Sequence, residues 1–177
     1  IGYGQGEPLD VAAVGAALLP RLRQAGLHPM CEPGRYLVGD AGVLLTSVLG
    51  HKQSGATLFV LVDAAMNDLL RPALYAAEHP IVPLRASAAA PIKVDVVGPV
   101  CESGDFLARG RAMSPVTAGE RLAVLAAGAY GASMASNYNS RCRPAEVLVD
   151  GDTARVIRRR QAHADLWADE LSQQDPR

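Results

Sequence analysis

The sequence predicts the end of an α/β barrel followed by a mainly antiparallel β domain. Three observations carry this. A helix-like segment runs into a tight turn, a short apolar run and a polar loop within the first 42 residues, the repeating cadence of such barrels. From residue 43 onward, short Val- and Leu-rich runs alternate with Gly and Pro. Polar and ionisable residues then gather at the ends of those runs, where α/β folds keep their chemistry.

Taken in order, residues 1–9 are glycine-rich, with Gly2, Gly4 and Gly6 in a loop that no strand precedes. Asp10 is a helix N-cap, and Val11, Val14, Leu18 and Leu22 then share one helical face. Pro20 predicts a kink or early break, and Gly26 a stop. The apolar run 27–31 predicts a strand that ends in Glu32-Pro33-Gly34-Arg35, with a short helix over 36–42 after it. Strands are expected at 43–52, 57–63, 81–84, 92–100, 121–127, 146–149 and 154–159. Asp150-Gly151 joins the last two as a hairpin, and residues 162–171 close the chain as a helix. The domains are therefore 1–42, the barrel end, and 43–171, the β domain, with 172–177 a disordered tail.

Composition removes several classes of function. The chain has 177 residues, 49% of them hydrophobic, enough for a sizeable core. A net charge of −1 gives no electrostatic footprint for nucleic acid or an anionic membrane. Three widely spaced cysteines form no zinc motif, and their odd number without a signal peptide points to a reducing cytoplasm. No apolar stretch is long enough for a membrane span. Only two lysines, Lys52 and Lys93, stand against fifteen arginines. The first residue is Ile1 in a loop-like context, so the chain reads as a piece of something longer.

Several constellations bear chemistry. Cys101-Glu102-Ser103-Gly104-Asp105 ends an apolar run, and glycines on either side let neighbours converge on one space. A thiol and a carboxylate there suit a proton and an ammonium; a buried cysteine beside a solvated acidic turn is the plainer reading. Glu32-Pro33-Gly34-Arg35 reads as an anion site, with Gly34 allowing close approach and Arg35 a forked donor, or as a loop ion pair. Arg71 and Tyr75, four apart, make a carboxylate clamp or a surface pair. Tyr130, set between Gly128 and Gly131, is a ring for stacking on a flat ligand or a core tyrosine. The four histidines lack partner spacing and are structural, and no hydrolase elbow is present.

Together these motifs resemble a known family. Glu32-Pro-Gly-Arg35, the run from Asp63 through Asn67-Asp68 to Arg71 and Tyr75, Gly98-Pro-Val-Cys101-Glu102-Ser103-Gly-Asp105 and Gly128-Ala-Tyr130-Gly131 occur in that order. Asn137-Tyr138-Asn139-Ser140-Arg141 and Arg143-Pro-Ala-Glu146 extend the likeness, which covers about residues 1–170. They look like the C-terminal region of bacterial diaminopimelate decarboxylases, pyridoxal-phosphate enzymes of the alanine-racemase-like barrel plus β-domain fold. That family makes L-lysine and CO2 from meso-diaminopimelate, the last step of lysine biosynthesis.

The resemblance implies a role for each position. Glu32, Pro33, Gly34 and Arg35 would lie near the cofactor phosphate, with Arg35 also reaching substrate. Arg71 and Tyr75 would bind a substrate carboxylate, and Tyr130 would touch cofactor and substrate. Cys101 would be the proton donor, and Glu102 would pair with the far, D-configured ammonium. It also implies a homodimer in which Cys101 and Glu102 serve the partner's site, a small amino-acid substrate, and no metal. The family's Schiff-base lysine lies upstream, and Lys52 and Lys93 do not match it, so the chain alone is expected to be inactive without that barrel segment. The Glu-Ser pair after Cys101 favours diaminopimelate over ornithine, arginine or lysine as substrate. A non-catalytic dimerisation or ligand-binding β domain is the alternative from another class.

Overall fold

The computed structural model describes residues 7–170; the glycine-rich opening and the tail expected at 172–177 lie outside the described residues. Helix α1 (Val11–Gln24) starts where Asp10 caps it, its carboxylate accepting from the Ala13 N–H at 2.9 Å. It runs on through Pro20, so the expected break does not occur. Gly26 ends it with a φ of 68°. The strand expected at 27–31 is absent: the segment is irregular and exposed, because no strand of the described residues pairs with it. Helix α2 (Gly34–Val38) passes into the 3-10 turn Gly39–Ala41, where the sequence placed a short helix.

The remainder is built on one mixed six-stranded sheet. Strands β1 (Leu44–Ser54) and β2 (Thr57–Val62) form a hairpin, and α3 (Arg71–Tyr75) follows. Then come β3 (Ile81–Pro83), β4 (Ile92–Val97), β5 (Phe106–Met113) and β6 (Arg121–Val124), in the spatial order β3-β6-β1-β2-β4-β5. All pairings are antiparallel except β2 with β4. A separate hairpin pairs β7 (Glu146–Asp150) with β8 (Thr153–Arg158). The closing helix expected at 162–171 is only a 3-10 turn, His163–Leu166. Asp165 caps that turn, binding Arg159 at 2.6 and 2.7 Å and the Ala162 N–H at 2.7 Å.

Strand β5 was not legible in the sequence. Arg109-Gly110-Arg111 breaks its apolar alternation, and the break is a β-bulge. Gly110 has a φ of 59°, and its N–H donates to Asp95 at 2.6 Å, so one extra residue of β5 faces β4. Alternation sets the core: Val60, Val62, Val94, Val96, Leu107, Leu122 and Val124 are all almost fully buried. Burial of each such side chain stabilises by about 1.5–3 kcal/mol. The first part of the chain contributes nothing comparable, since α1 buries no residue and Met30 is 95% exposed.

His79 lies inside this core, fully buried, with Nδ1 3.1 Å from the Leu125 carbonyl. A carbonyl only accepts, so the ring carries its proton on Nδ1. Burial lowers its pKa, and the guanidiniums of Arg71 and Arg111 push the same way against its backbone bonds. The unfolded chain therefore takes up a proton near pH 6.5 that the folded chain refuses. Stability linked to His79 is present above pH 6.5 and is lost as pH falls below it, by up to about 1.4 kcal/mol per pH unit. Urea titrations between pH 7.5 and 5 are expected to show this slope, and His79→Gln to flatten it.

Candidate functional site

The site is assembled on the loop between β2 and α3. At the end of β2, the buried Thr46 hydroxyl donates to Asp63 at 2.6 Å and accepts from the Ala64 N–H at 3.0 Å. Asp68 folds the loop back on itself by accepting from Ala65 at 2.9 Å. Burial raises the Asp68 pKa despite that bond and the Arg141 guanidinium at 3.9 Å. The loop delivers the chain into α3 with Arg71 as its first residue and Pro72 beside it, both buried.

Arg71 is the centre of one cluster. Its guanidinium carbon lies 5.4 Å from the Tyr75 ring and 5.2 Å from the Tyr130 ring, within cation–π range of both. The spacing of four thus does place Arg71 and Tyr75 on one face. Tyr130 reaches them from the chain after β6, in a left-handed conformation with a φ of 61°. Gly128 makes this possible: its N–H donates to the Gly39 carbonyl at 3.0 Å, and a side chain there would strike the Val38 carbonyl. The same contact fastens the 3-10 turn that follows α2 to the Tyr130 segment. Gly34 and Arg35 open α2 and are exposed, as are Glu32 and Pro33 before it. The Gly34 N–H is turned onto the Glu32 carbonyl at 2.9 Å.

Cys101, Glu102 and Ser103 form a second, exposed group on the turn between β4 and β5. Asp105 sets that turn. It is buried, and its carboxylate accepts from Met66 N–H at 2.7 Å and Val100 N–H at 2.6 Å. One oxygen thus ties the turn to the loop before α3, and the other closes the turn itself. Glu102 accepts from the Ser103 N–H through Oε1 at 2.8 Å and from the Tyr138 hydroxyl through Oε2 at 3.2 Å. Around this pair is a hollow of about 280 Å³ lined by Met66, Asn67, Leu70, Glu102, Ser136 and Tyr138. A separate apolar hollow of about 240 Å³, between Leu58, Val94 and Val116, contains none of the predicted site residues.

The two groups lie on different flanks of α3. Arg71 and Tyr75 face one way, whereas Leu70 and Ala73 face the other, toward Glu102 and Gly104. Sequence reasoning named every member of both groups but gave neither Tyr138 nor Asp105 a task. The signal for Tyr138 was its place between two asparagines, residues that tolerate left-handed turns, and Asn139 does adopt one with a φ of 60°. Among the described residues no group of three or more His, Cys, Asp or Glu side chains is placed to hold a metal. No helix of these residues is long and apolar enough to cross a membrane.

Residues 29–128 match the family described as pyridoxal-dependent decarboxylase, C-terminal sheet domain. The chain is 51% identical to a diaminopimelate decarboxylase of Pseudomonas fluorescens over 96% of its own length and 41% of that protein's. It is 48% identical to the one from Neisseria meningitidis serogroup A, covering 97% and 42%. Among solved structures, Helicobacter pylori diaminopimelate decarboxylase complexed with L-lysine superposes with a TM-score of 0.87 at 42% identity, covering 96% and 42%. The chain therefore spans about two-fifths of the length of these relatives.

Removing Asp105 leaves two backbone donors facing a buried space. Asp105→Ala is expected to lower stability by about 2–4 kcal/mol in urea unfolding. Asp105→Asn, whose amide nitrogen would face one of those N–H donors, is expected to lose a comparable amount.

Proposed function

The chain belongs to the pyridoxal-dependent decarboxylase family through its C-terminal sheet domain, and on that footing we propose that it is the C-terminal part of a diaminopimelate decarboxylase. The observation that carries this is the pairing, on either side of one short helix, of a cation cluster, Arg71 with Tyr75 and Tyr130, and a hollow holding the Glu102 carboxylate. A substrate with carboxylates and ammoniums at both ends needs both kinds of receptor. Identity of 45–51% to relatives of that one name over most of the chain supports the assignment.

In this reading residues 1–42 are the end of the cofactor-binding barrel and 43–171 the domain with the substrate and dimer contacts. The exposed apolar side chains of the first part, including Leu9, Leu18 and Leu37, support a barrel segment packing over them. Three cysteines without a disulfide suit the cytoplasm.

The donor set fits pyridoxal phosphate in part. Arg35 and the Tyr130 hydroxyl suit its phosphate, the Tyr130 ring suits its flat face, and Gly34 has open space where a side chain would stand. Glu32 and Pro33 hold the turn that presents them. The two lysines are exposed on β1 and β4 and take no part, so the covalent anchor is assigned to the barrel segment. When bound, the cofactor supplies the electron sink that takes up the pair left as CO2 departs. The chain's own residues bind, orient and protonate. Arg71 and Tyr75 hold a substrate carboxylate, Arg35 adds a second fork, and Glu102 holds the distal ammonium. Cys101 delivers the proton to carbon.

The two flanks of α3 support a homodimer with shared sites, in which Cys101 and Glu102 of one copy complete the Arg71 cluster of the other. In the full-length enzyme, CO2 release from meso-diaminopimelate is the test. Cys101→Ala is expected to cut kcat by about a hundredfold or more while leaving cofactor binding nearly unchanged. Release from ornithine, arginine or lysine instead would reassign the substrate, and full activity in both Cys101→Ala and Arg71→Ala would make this a non-catalytic domain.

A further inference from the structure

We propose that Tyr138 is a positioning residue for Glu102, aiming its carboxylate into the hollow to receive a substrate ammonium. The inference rests on the functional reading above and adds a residue to it.

Glu102 is exposed and sits on a turn, where an unsupported side chain would spread over several rotamers. Two bonds oppose this, one to each oxygen. The Ser103 N–H holds Oε1, and the Tyr138 hydroxyl, which can only donate to an ionised carboxylate, holds Oε2. An ionised carboxylate offers about four lone-pair sites, so two remain for an incoming ammonium. The bond also raises the Tyr138 pKa, since losing the phenol proton would place two anions in contact.

The aim of the phenol is itself built in. Asn139 and Ser140, immediately after it, are both left-handed, with φ of 60° and 55°. Consecutive non-glycine residues in that region carry strain and persist only when their surroundings hold them. Here Asn137 donates to the Arg141 carbonyl at 2.8 Å and to Gln161 at 2.7 Å. Arg141 donates through Nε to the buried Asn67 at 3.0 Å and through a terminal nitrogen to the Asp63 carbonyl at 2.6 Å. Asn67 in turn donates to the Ser136 carbonyl at 3.2 Å. Both ends of the Tyr138 turn are thereby fixed to the loop that precedes α3, which is the loop Asp105 ties to the Glu102 turn. Donor and acceptor stand on one frame.

The test is a double-mutant cycle in the full-length enzyme with meso-diaminopimelate. Tyr138→Phe removes one hydroxyl from an exposed ring and is expected to raise KM about three- to tenfold with kcat within about twofold. In a Glu102→Gln background the same change is expected to add less than about twofold. An unchanged KM, an equal factor in both backgrounds, or a loss confined to kcat would overturn the proposal. A second measurement needs no activity. Titration of the Tyr138 ring carbon by NMR in the full-length enzyme is expected to give a pKa above that of an ordinary tyrosine, falling back in Glu102→Gln. A Tyr138 titration indifferent to Glu102 would overturn the coupling. A wild-type enzyme that leaves meso-diaminopimelate untouched, with the coupling intact, would instead overturn the functional reading and the substrate side of this inference with it.

Discussion

The buried carboxylate of Asp105 is the contact on which the site geometry depends. Its two oxygens accept from backbone N–H groups 39 and 5 residues away, at 2.7 and 2.6 Å, and so join loops that are distant in sequence. Gly98 lets this happen at close range: a Cβ there would lie 2.6 Å from both the Asp105 side chain and the Ala64 carbonyl. Once the joint is made, the end of β4 cannot continue as a strand, and the chain turns to present Cys101 and Glu102. Bonds between a carboxylate and backbone donors are charge-assisted and shorter than neutral ones, which suits a joint that must hold against an exposed turn.

A second frame, independent of the first, holds Tyr130. There the glycine is Gly128, pressed against the Val38 carbonyl and bonded to Gly39, and the consequence is a phenol in a left-handed conformation above Arg71. In both places a glycine permits close backbone approach and a polar side chain a few residues later is delivered to the site. The helix between them, α3, is only five residues long, so its two flanks carry two different chemistries: guanidinium and phenols on one, carboxylate and a hollow on the other. A single copy offers them on different flanks of that helix, and this supports the proposal of a site shared between copies.

Much of this was legible in the sequence, for reasons that can be named. Seven of the eight strands among the described residues announce themselves through Val and Leu runs between Gly and Pro, and Arg71 with Tyr75 follows from helical spacing. What escaped were features made by contacts distant in sequence. Strand β5 hides behind Arg109-Gly110-Arg111, because a bulge satisfied by Asp95 replaces the expected alternation. The run 27–31 has strand composition, yet a strand needs a neighbour, and none of the described residues provides one. Asp105 looks like an acidic turn residue until Met66 is found beside it, 39 positions earlier. Tyr138 gives no periodic signal at all, and its task appears only when Glu102, 36 residues before it, is seen to accept its hydrogen bond.

The measurement that tests the account most directly is complementation between inactive full-length variants. Arg71→Ala disables one group and Glu102→Ala, combined with Cys101→Ala, the other. If each site takes its two groups from different copies, mixing the two variants yields mixed dimers with one intact site, and activity returns to about a quarter of the wild type. If each copy builds its own site, the mixture stays as inactive as its components, although the variants still dimerise, and the division of labour across α3 would be wrong.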